Sequence, residues 1–115
     1  MTRGQRLVAS LPLKRSFYDA HERRAYLRMV EVARRIVDDE SLVQRGRAHL
    51  ERFARNDARQ AHAYRAWSSL LLRPPEDIAR ALLADDDRGA TLRDTAPVFV
   101  VISAPQAKEI WRRSA

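Results

Sequence analysis

Residues 17–38 read FYDAHERRAYLRMVEVARRIVD, and this stretch decides the class of fold. Its apolar side chains recur at steps of three and four residues, which is the spacing of one face of an α-helix. Arginines occupy the other side, and Glu31 and Arg35 have the i,i+4 spacing of a favourable ion pair. The apolar face consists of Tyr26, Met29, Val30, Ala33, Ile36 and Val37. The stretch therefore predicts a long amphipathic helix that packs against other helices.

Polar breaks after this stretch predict where further helices begin. Asp38–Ser41 interrupts the apolar pattern with residues that cap helix N-termini, and Asp57 can cap a helix that runs to about Leu72. Pro74–Asp77 is typical of a helix start, because proline is tolerated in the first turn and acids there complement the helix dipole. Ser103 and Gln106 have the spacing of a capping box. The breaks therefore predict helices along the rest of the chain.

The length of 115 residues and the hydrophobic content of 45% suit a single domain with one core. We predict an all-α fold, as a single compact domain of five to six helices with one short extended segment near the C-terminus. Gly46 lies inside a predicted helix, where glycine costs about 1 kcal/mol relative to alanine, so it predicts a close helix–helix contact. The predicted core contains Leu27, Val30, Phe53, Trp67, Leu70, Leu82 and Ile110.

The extended segment is predicted for residues 97–102, PVFVVI, the one stretch with the composition of a β-strand. Alternation along an extended chain puts Phe99 and Val101 on one side and the other valines and Ile102 on the opposite side. A helical domain offers no sheet against which both rows could pack, so one row is left for a partner. We predict that Phe99, Val101 and Trp111 contact a partner chain, either another protein or a second copy. The alternative is a segment wholly buried within one chain.

The charge is concentrated at the N-terminal end of the chain. The net charge is +7, and residues 1–60 contain 14 basic and 8 acidic side chains. We divide the chain into a basic N-terminal arm, residues 1–16, and a helical domain, residues 17–115. Because neutralised phosphates release counterions, we predict that Arg3, Arg6, Lys14 and Arg15 contact a nucleic acid through its phosphates. The alternatives are an acidic protein partner and a face that is simply solvated.

The sequence lacks the residues and motifs that most catalytic and metal sites need. The absence of cysteine excludes disulfides, thiol catalysis and cysteine-ligated zinc, and agrees with a cytoplasmic location. His21, His49 and His62 lack metal-ligand spacing, and neither a phosphate-binding glycine loop nor a Gly-x-Ser-x-Gly elbow occurs. Asp85–Asp87 could chelate magnesium, but three adjacent acids are more typical of a helix cap. We therefore expect no enzyme activity, no cofactor, no metal and no small-molecule substrate.

We also expect no association with a membrane. The longest uninterrupted apolar run is Val98–Ile102, far shorter than the roughly 20 residues that a helix needs to span a bilayer.

The order of packing residues from about residue 22 onward resembles a known family. Residues 42–53 read LVQRGRAHLERF, residues 64–71 read YRAWSSLL, and residues 92–99 read LRDTAPVF, with an acidic turn at 85–86 and a closing helix that carries Trp111. This succession resembles the small helical bacterial antitoxin-like proteins of toxin–antitoxin gene pairs. Where those proteins have a glycine-containing turn after the Pro-Phe position, this chain continues through Val98–Ile102 without a glycine.

The resemblance implies a function without catalysis. It implies a protein-binding module that neutralises a cognate toxin by stoichiometric binding, together with binding of its own operator DNA through the basic first half. The alternative functions are a small basic DNA-binding transcriptional regulator and a structural adaptor.

Overall fold

The computed structural model describes residues 1–114, and this part of the chain contains helices and no strand. The helices comprise seven α-helices and two 3-10 turns, at Ala58–Gln60 and Leu70–Leu72. In chain order the α-helices are α1 (Arg3–Ser10), α2 (Ala20–Asp38), α3 (Ser41–Phe53), α4 (Ala61–Trp67), α5 (Pro75–Leu83), α6 (Asp87–Asp94) and α7 (Ala104–Arg113). The all-α prediction is confirmed, whereas the predicted number of five to six helices is too low.

The central helix is α2, which packs against α1, α3, α5 and α7. The carboxylate of Asp19 caps its N-terminus by accepting a hydrogen bond from the Glu22 N–H at 2.8 Å. Glu31 accepts a hydrogen bond from Arg35 at 2.9 Å, as the i,i+4 spacing predicts. The buried side chains of α2 are Tyr26, Val32, Ala33, Ile36 and Val37. The long amphipathic helix is therefore confirmed as the element around which the domain is built.

Two regions differ from the predicted helices, and the first of them adds an α-helix. Residues 3–10 of the predicted basic arm form α1, whose N-terminus is closed by a capping box between Thr2 and Gln5. The helix expected from Asp57 to Leu72 is divided into a 3-10 turn, α4 and a second 3-10 turn. Asp57 starts the first turn by accepting the Arg59 N–H at 2.9 Å, and Ser68 and Ser69, which are poor helix formers, follow α4.

The arm does not extend away from the helices. Its helix α1 packs against α2, with Leu7, Val8, Leu11 and Leu13 half-buried against the core. A boundary between arm and domain at residues 16 and 17 stays a prediction.

The close approach of α1 to α2 requires a glycine. The Gly4 N–H donates to an Asp38 carboxylate oxygen at 2.8 Å, and a Cβ at position 4 would overlap the carbonyl of Arg34. A larger residue would push α1 away from α2 and break this hydrogen bond.

Trp67 is the central side chain of the core. It is 0% exposed, and its indole N–H donates to the Leu92 carbonyl at 3.2 Å and to the Thr95 hydroxyl at 3.1 Å. Its ring meets Phe99 edge-on at a centroid distance of 5.6 Å. The tryptophan thereby joins α4, the end of α6 and the segment after α6.

The predicted core is only partly correct. Trp67, Leu70, Leu82 and Ile110 are buried, and Leu27 and Val30 are half-buried against the core. The prediction that Phe53 lies in the core is wrong, because Phe53 is the last residue of α3 and is 54% exposed.

The predicted helix starts of the C-terminal half are confirmed. Pro75 occupies the first turn of α5, and Ser103 and Gln106 form the capping box of α7. In the acidic run, Asp86 caps α6 by accepting the Gly89 N–H at 2.7 Å. One aspartate of this run therefore has the cap role that the sequence favours.

Residues 96–103 connect α6 to α7 without regular secondary structure and bend at Phe99. Phe99 and Ile102 are buried, whereas Val98 and Val101 are exposed. The predicted placement of Phe99 and Val101 on one side is wrong, because the bend breaks the two-residue alternation of an extended chain. The expected strand-like segment is not confirmed.

Candidate protein-binding surface

The segment 96–103 is fixed to the core through Phe99, which is 2% exposed. Its ring packs on Trp67 and lies directly over Gly46, where a Cβ would overlap the ring carbons. Gly46 thus marks a close contact, as predicted, but the contact is with this connecting segment and not with another helix. Because Phe99 points inward, its neighbours Val98 and Val101 point to the surface, where they are 41% and 73% exposed.

A groove runs between this segment and α2. It encloses about 240 Å³ and is lined by Arg28, Met29, Val32, Arg93 and residues 96–101. We call it the α2 groove. Its lining includes the exposed side chains of Val98 and Val101 and the guanidinium groups of two arginines. An apolar strip beside basic groups is a surface suited to an amphipathic partner.

Arg93 is held in one position by the fold. Its guanidinium donates to the carbonyls of Leu82 at 3.0 Å and Ala84 at 2.8 Å, at the C-terminal end of α5, where a cation complements the helix dipole. The same group lies 4.9 Å from the ring centroid of Tyr26. These contacts fix a positive charge on the wall of the α2 groove.

The groove continues past Arg93 into a second cavity of about 310 Å³ between α2 and α6. This cavity shares Met29 and Arg93 with the groove. Its charged residues are of both signs, and they are Lys14, Glu22, Arg93 and Asp94. The basic character is therefore strongest at the end of the groove near Arg28.

Trp111 on α7 lies beside α2, next to Arg24. The indole is half-buried, and the Arg24 guanidinium lies 5.4 Å from its ring centroid. Arg24 is one helical turn before Arg28 on α2. Among residues 1–114, neither of these arginines has a carboxylate oxygen within 4.0 Å.

The three predicted partner-binding residues lie in different surroundings. Val101 is on the surface of the α2 groove, Trp111 is half-buried beside Arg24, and Phe99 is buried beneath the segment. Phe99 therefore positions the surface from inside and does not itself reach it. Binding by Val101 and Trp111 stays a prediction.

Sequence reasoning missed several residues of this region. The sequence pattern does not indicate a site role for Arg24, Arg28 or Val98, and it predicts Phe53 in the core. Phe53 lies with His49, its ring neighbour at 4.8 Å, in a separate cavity of about 310 Å³ that reaches Ala96 and Pro97 on the far side of the segment. Its place at the end of a helix, three residues before Asn56–Asp57, is the sequence signal that could have indicated exposure.

The predicted nucleic-acid contacts are engaged to different degrees. Arg3 forms an ion pair with Glu76, and the Lys14 ammonium lies 3.4 Å from a carboxylate oxygen of both Glu22 and Asp85. Arg6 and Arg15 are exposed. Within the described chain, 1–114, no carboxylate lies within 4.0 Å of either. Phosphate binding by these four residues stays a prediction.

The pKa values of Glu31 and Tyr64 are shifted by hydrogen bonds within α2 and between α4 and α3. Burial raises the pKa of Glu31, but hydrogen bonds from Arg34 and Arg35 outweigh it and hold the pKa below its usual range. The hydroxyl of Tyr64 donates to Glu51 at 3.0 Å, and this hydrogen bond raises the tyrosine pKa. Neither Glu31 nor Tyr64 lines the α2 groove.

Residues 1–114 contain neither a metal-binding group of side chains nor a membrane-spanning helix. Across residues 1–114, no three His, Asp or Glu side chains converge as a group that could hold a metal ion. In the same residues, no helix has both the length and the apolar character needed to cross a bilayer. His21, His49 and His62 lie on α2, α3 and α4 respectively.

Comparison of the chain with models of known protein families, with curated proteins and with solved structures finds no match, so the resemblance to antitoxin-like proteins stays a prediction.

Proposed function

We propose that this chain is a non-enzymatic protein-binding module of the antitoxin kind, which neutralises a partner toxin by stoichiometric binding at the α2 groove. The observation that carries the proposal is the exposure of Val98 and Val101 on a segment that Phe99 fixes to the core. A preorganised apolar surface loses little conformational entropy when a partner covers it, so burial of the valines is available for binding.

The two parts of the proposal have different support. The groove supports protein binding, because apolar side chains beside charged groups are what protein interfaces bury. The toxin as the partner follows from the resemblance of the packing pattern over residues 22–115. A product encoded next to this chain is therefore the first partner to test.

A DNA-binding regulator is the second candidate function, and Arg6 and Arg15 favour it. Their exposed charges are available to phosphates, whereas Arg3 and Lys14 are already paired with carboxylates. Two of the four predicted phosphate contacts would first have to exchange a carboxylate for a phosphate. We rank this function second for that reason.

The test is co-expression of the chain with the product of the neighbouring gene, in the wild type and in a Val98→Asp/Val101→Asp variant. We expect the wild type to form a stoichiometric complex, and the variant to bind at least about tenfold more weakly because two carboxylates must be desolvated in an apolar contact. Leu72→Asp is the matched control, since Leu72 is 75% exposed and lies outside the groove.

Helical content and melting temperature show whether each variant is folded. Equal partner binding by the wild type and the folded double variant would contradict the proposal. Binding of duplex DNA with no binding of the neighbouring product would favour the regulator instead.

A further inference from the structure

The α2 groove has an unbalanced positive charge. Arg28 and Arg93 line it, and Arg24 lies one helical turn before Arg28 on α2. None of the three has a carboxylate within 4.0 Å in the part of the chain that the structure describes, residues 1–114. Other arginines of α2 are paired: Arg34 and Arg35 both contact Glu31. Among these described residues the charges of Arg24 and Arg28 are thus unneutralised, and Arg28 lines the groove together with the exposed valines.

Two of these three arginines, Arg24 and Arg93, are held in position by neighbouring groups. Arg24 lies over the Trp111 ring, and Arg93 is held by two backbone carbonyls and by Tyr26. A guanidinium whose position is already fixed loses less rotamer entropy when it forms a bidentate pair with a carboxylate.

We propose that the partner element that occupies the α2 groove is an acidic amphipathic segment. Its carboxylates pair with Arg24 and Arg28, and its apolar side chain lies over Val98 and Val101. This inference rests on the proposed function and names the class of partner for the same groove.

Charge and polarity favour this occupant over two others. A second copy of the chain carries the same net charge of +7, so self-association at the groove would bring like charges together. A nucleic-acid backbone offers phosphates to the arginines but leaves Val98 and Val101 without an apolar contact. An acidic protein segment satisfies both the arginines and the valines.

The experiment uses two synthetic helical peptides as probes. One has glutamate on its polar face and leucine on its apolar face, and its twin has glutamine in place of every glutamate. Binding is followed through the methyl resonances of Val98 and Val101 in the full chain. We expect the glutamate peptide to shift these resonances and to bind at least about tenfold more tightly than its twin, with the difference decreasing as salt is added.

Paired charge variants then assign the preference to the groove. Arg24→Gln/Arg28→Gln should remove the preference for the glutamate peptide. Arg45→Gln/Arg65→Gln should preserve it, because this control lowers the net charge equally at exposed positions outside the groove. Arg28→Gln alone guards against a folding defect, since the Arg28 side chain forms no hydrogen bond or ion pair within residues 1–114 that the substitution could remove.

The outcomes separate this inference from the proposed function. Equal affinity for the two peptides, or resonance shifts away from Val98 and Val101, would overturn the acidic segment. The neighbouring product could still need Val98 and Val101 for binding while the chain binds the two peptides equally well. In that case only the proposed class of partner is wrong. If that product binds the folded Val98→Asp/Val101→Asp variant normally, the protein-binding function itself is wrong.

Discussion

At the scale of single residues, the candidate surface depends on Gly46, which has no side chain. Gly46 leaves the space on α3 that the Phe99 ring fills, and the buried ring directs Val98 and Val101 outward. The sequence indicates a close contact at Gly46 because glycine inside a helix is costly. It does not indicate what makes the contact, because the partner is 53 residues away along the chain.

We predict that Gly46→Ala destabilises the domain. Alanine gains about 1 kcal/mol of helix propensity, but its Cβ would overlap the Phe99 ring, which Trp67 prevents from moving aside. Overpacking of this kind costs about 1–3 kcal/mol, so we expect urea titrations to show a net loss of up to about 2 kcal/mol in the free energy of unfolding.

A double-mutant cycle with Phe99→Leu supplies the control for this prediction. The smaller side chain makes room for the Cβ, so Gly46→Ala should cost less in that background. Equal costs in the two backgrounds would show that the glycine serves some purpose other than room for the ring.

At the scale of elements, α1 shows how a short helix is stabilised by docking. Eight residues are too few to form a stable isolated helix, so α1 depends on its contacts with α2. Gly4 allows the approach, and Asp38 accepts the Gly4 N–H. The basic residues at the start of the chain favour an arm in the sequence, whereas the half-buried leucines Leu7, Leu11 and Leu13 explain why it packs against the helices instead.

We predict that acid loosens α1 through Asp38. The hydrogen bond from the Gly4 N–H lowers the pKa of Asp38, with smaller contributions from the Thr2 side chain, Arg34 and Arg3. A carboxyl group with a lowered pKa in the folded state stabilises that state above its unfolded pKa of about 3.9, and this stability is lost as the pH falls through the folded-state value.

Urea unfolding at neutral pH and near pH 3, for the wild type and Asp38→Asn, measures this contribution. The variant should be less stable than the wild type at neutral pH and should lose less stability on acidification. Hydrogen exchange of the α1 amides should be faster in the variant at neutral pH. Identical pH dependence in the two proteins would rule out Asp38 as the group that holds α1.

At the scale of the whole molecule, the helix starts and the all-α fold class could be predicted from the sequence, whereas the candidate binding surface could not. Caps such as Ser103 with Gln106 and the apolar face of α2 are local signals, and both are confirmed. The exposure of Phe53 and the burial of Phe99 depend on packing between distant residues and on the bend in segment 96–103. The α2 groove could not be predicted for the same reason: α2 and the segment meet there across some 70 residues of sequence.

The net charge of the whole chain leads to the last prediction, that the chain alone is monomeric at low salt. Exposed Val98 and Val101 favour association, but two copies that meet at the groove each bring a net charge of +7. Each also brings Arg24 and Arg28, which have no carboxylate within 4.0 Å among residues 1–114. The Debye length is about 30 Å at 0.01 M salt, so this repulsion acts across the full contact, and it shortens to about 3 Å at 1 M. Sedimentation equilibrium should therefore give the mass of one chain at low salt, and any self-association should increase as salt is added, the opposite of the salt dependence expected for an acidic partner. Val101→Asp should reduce the association at high salt, and Leu72→Asp should not. A dimer at low salt that Val101→Asp disrupts and Leu72→Asp leaves intact would instead identify a second copy as the occupant of the groove and would exclude the acidic segment.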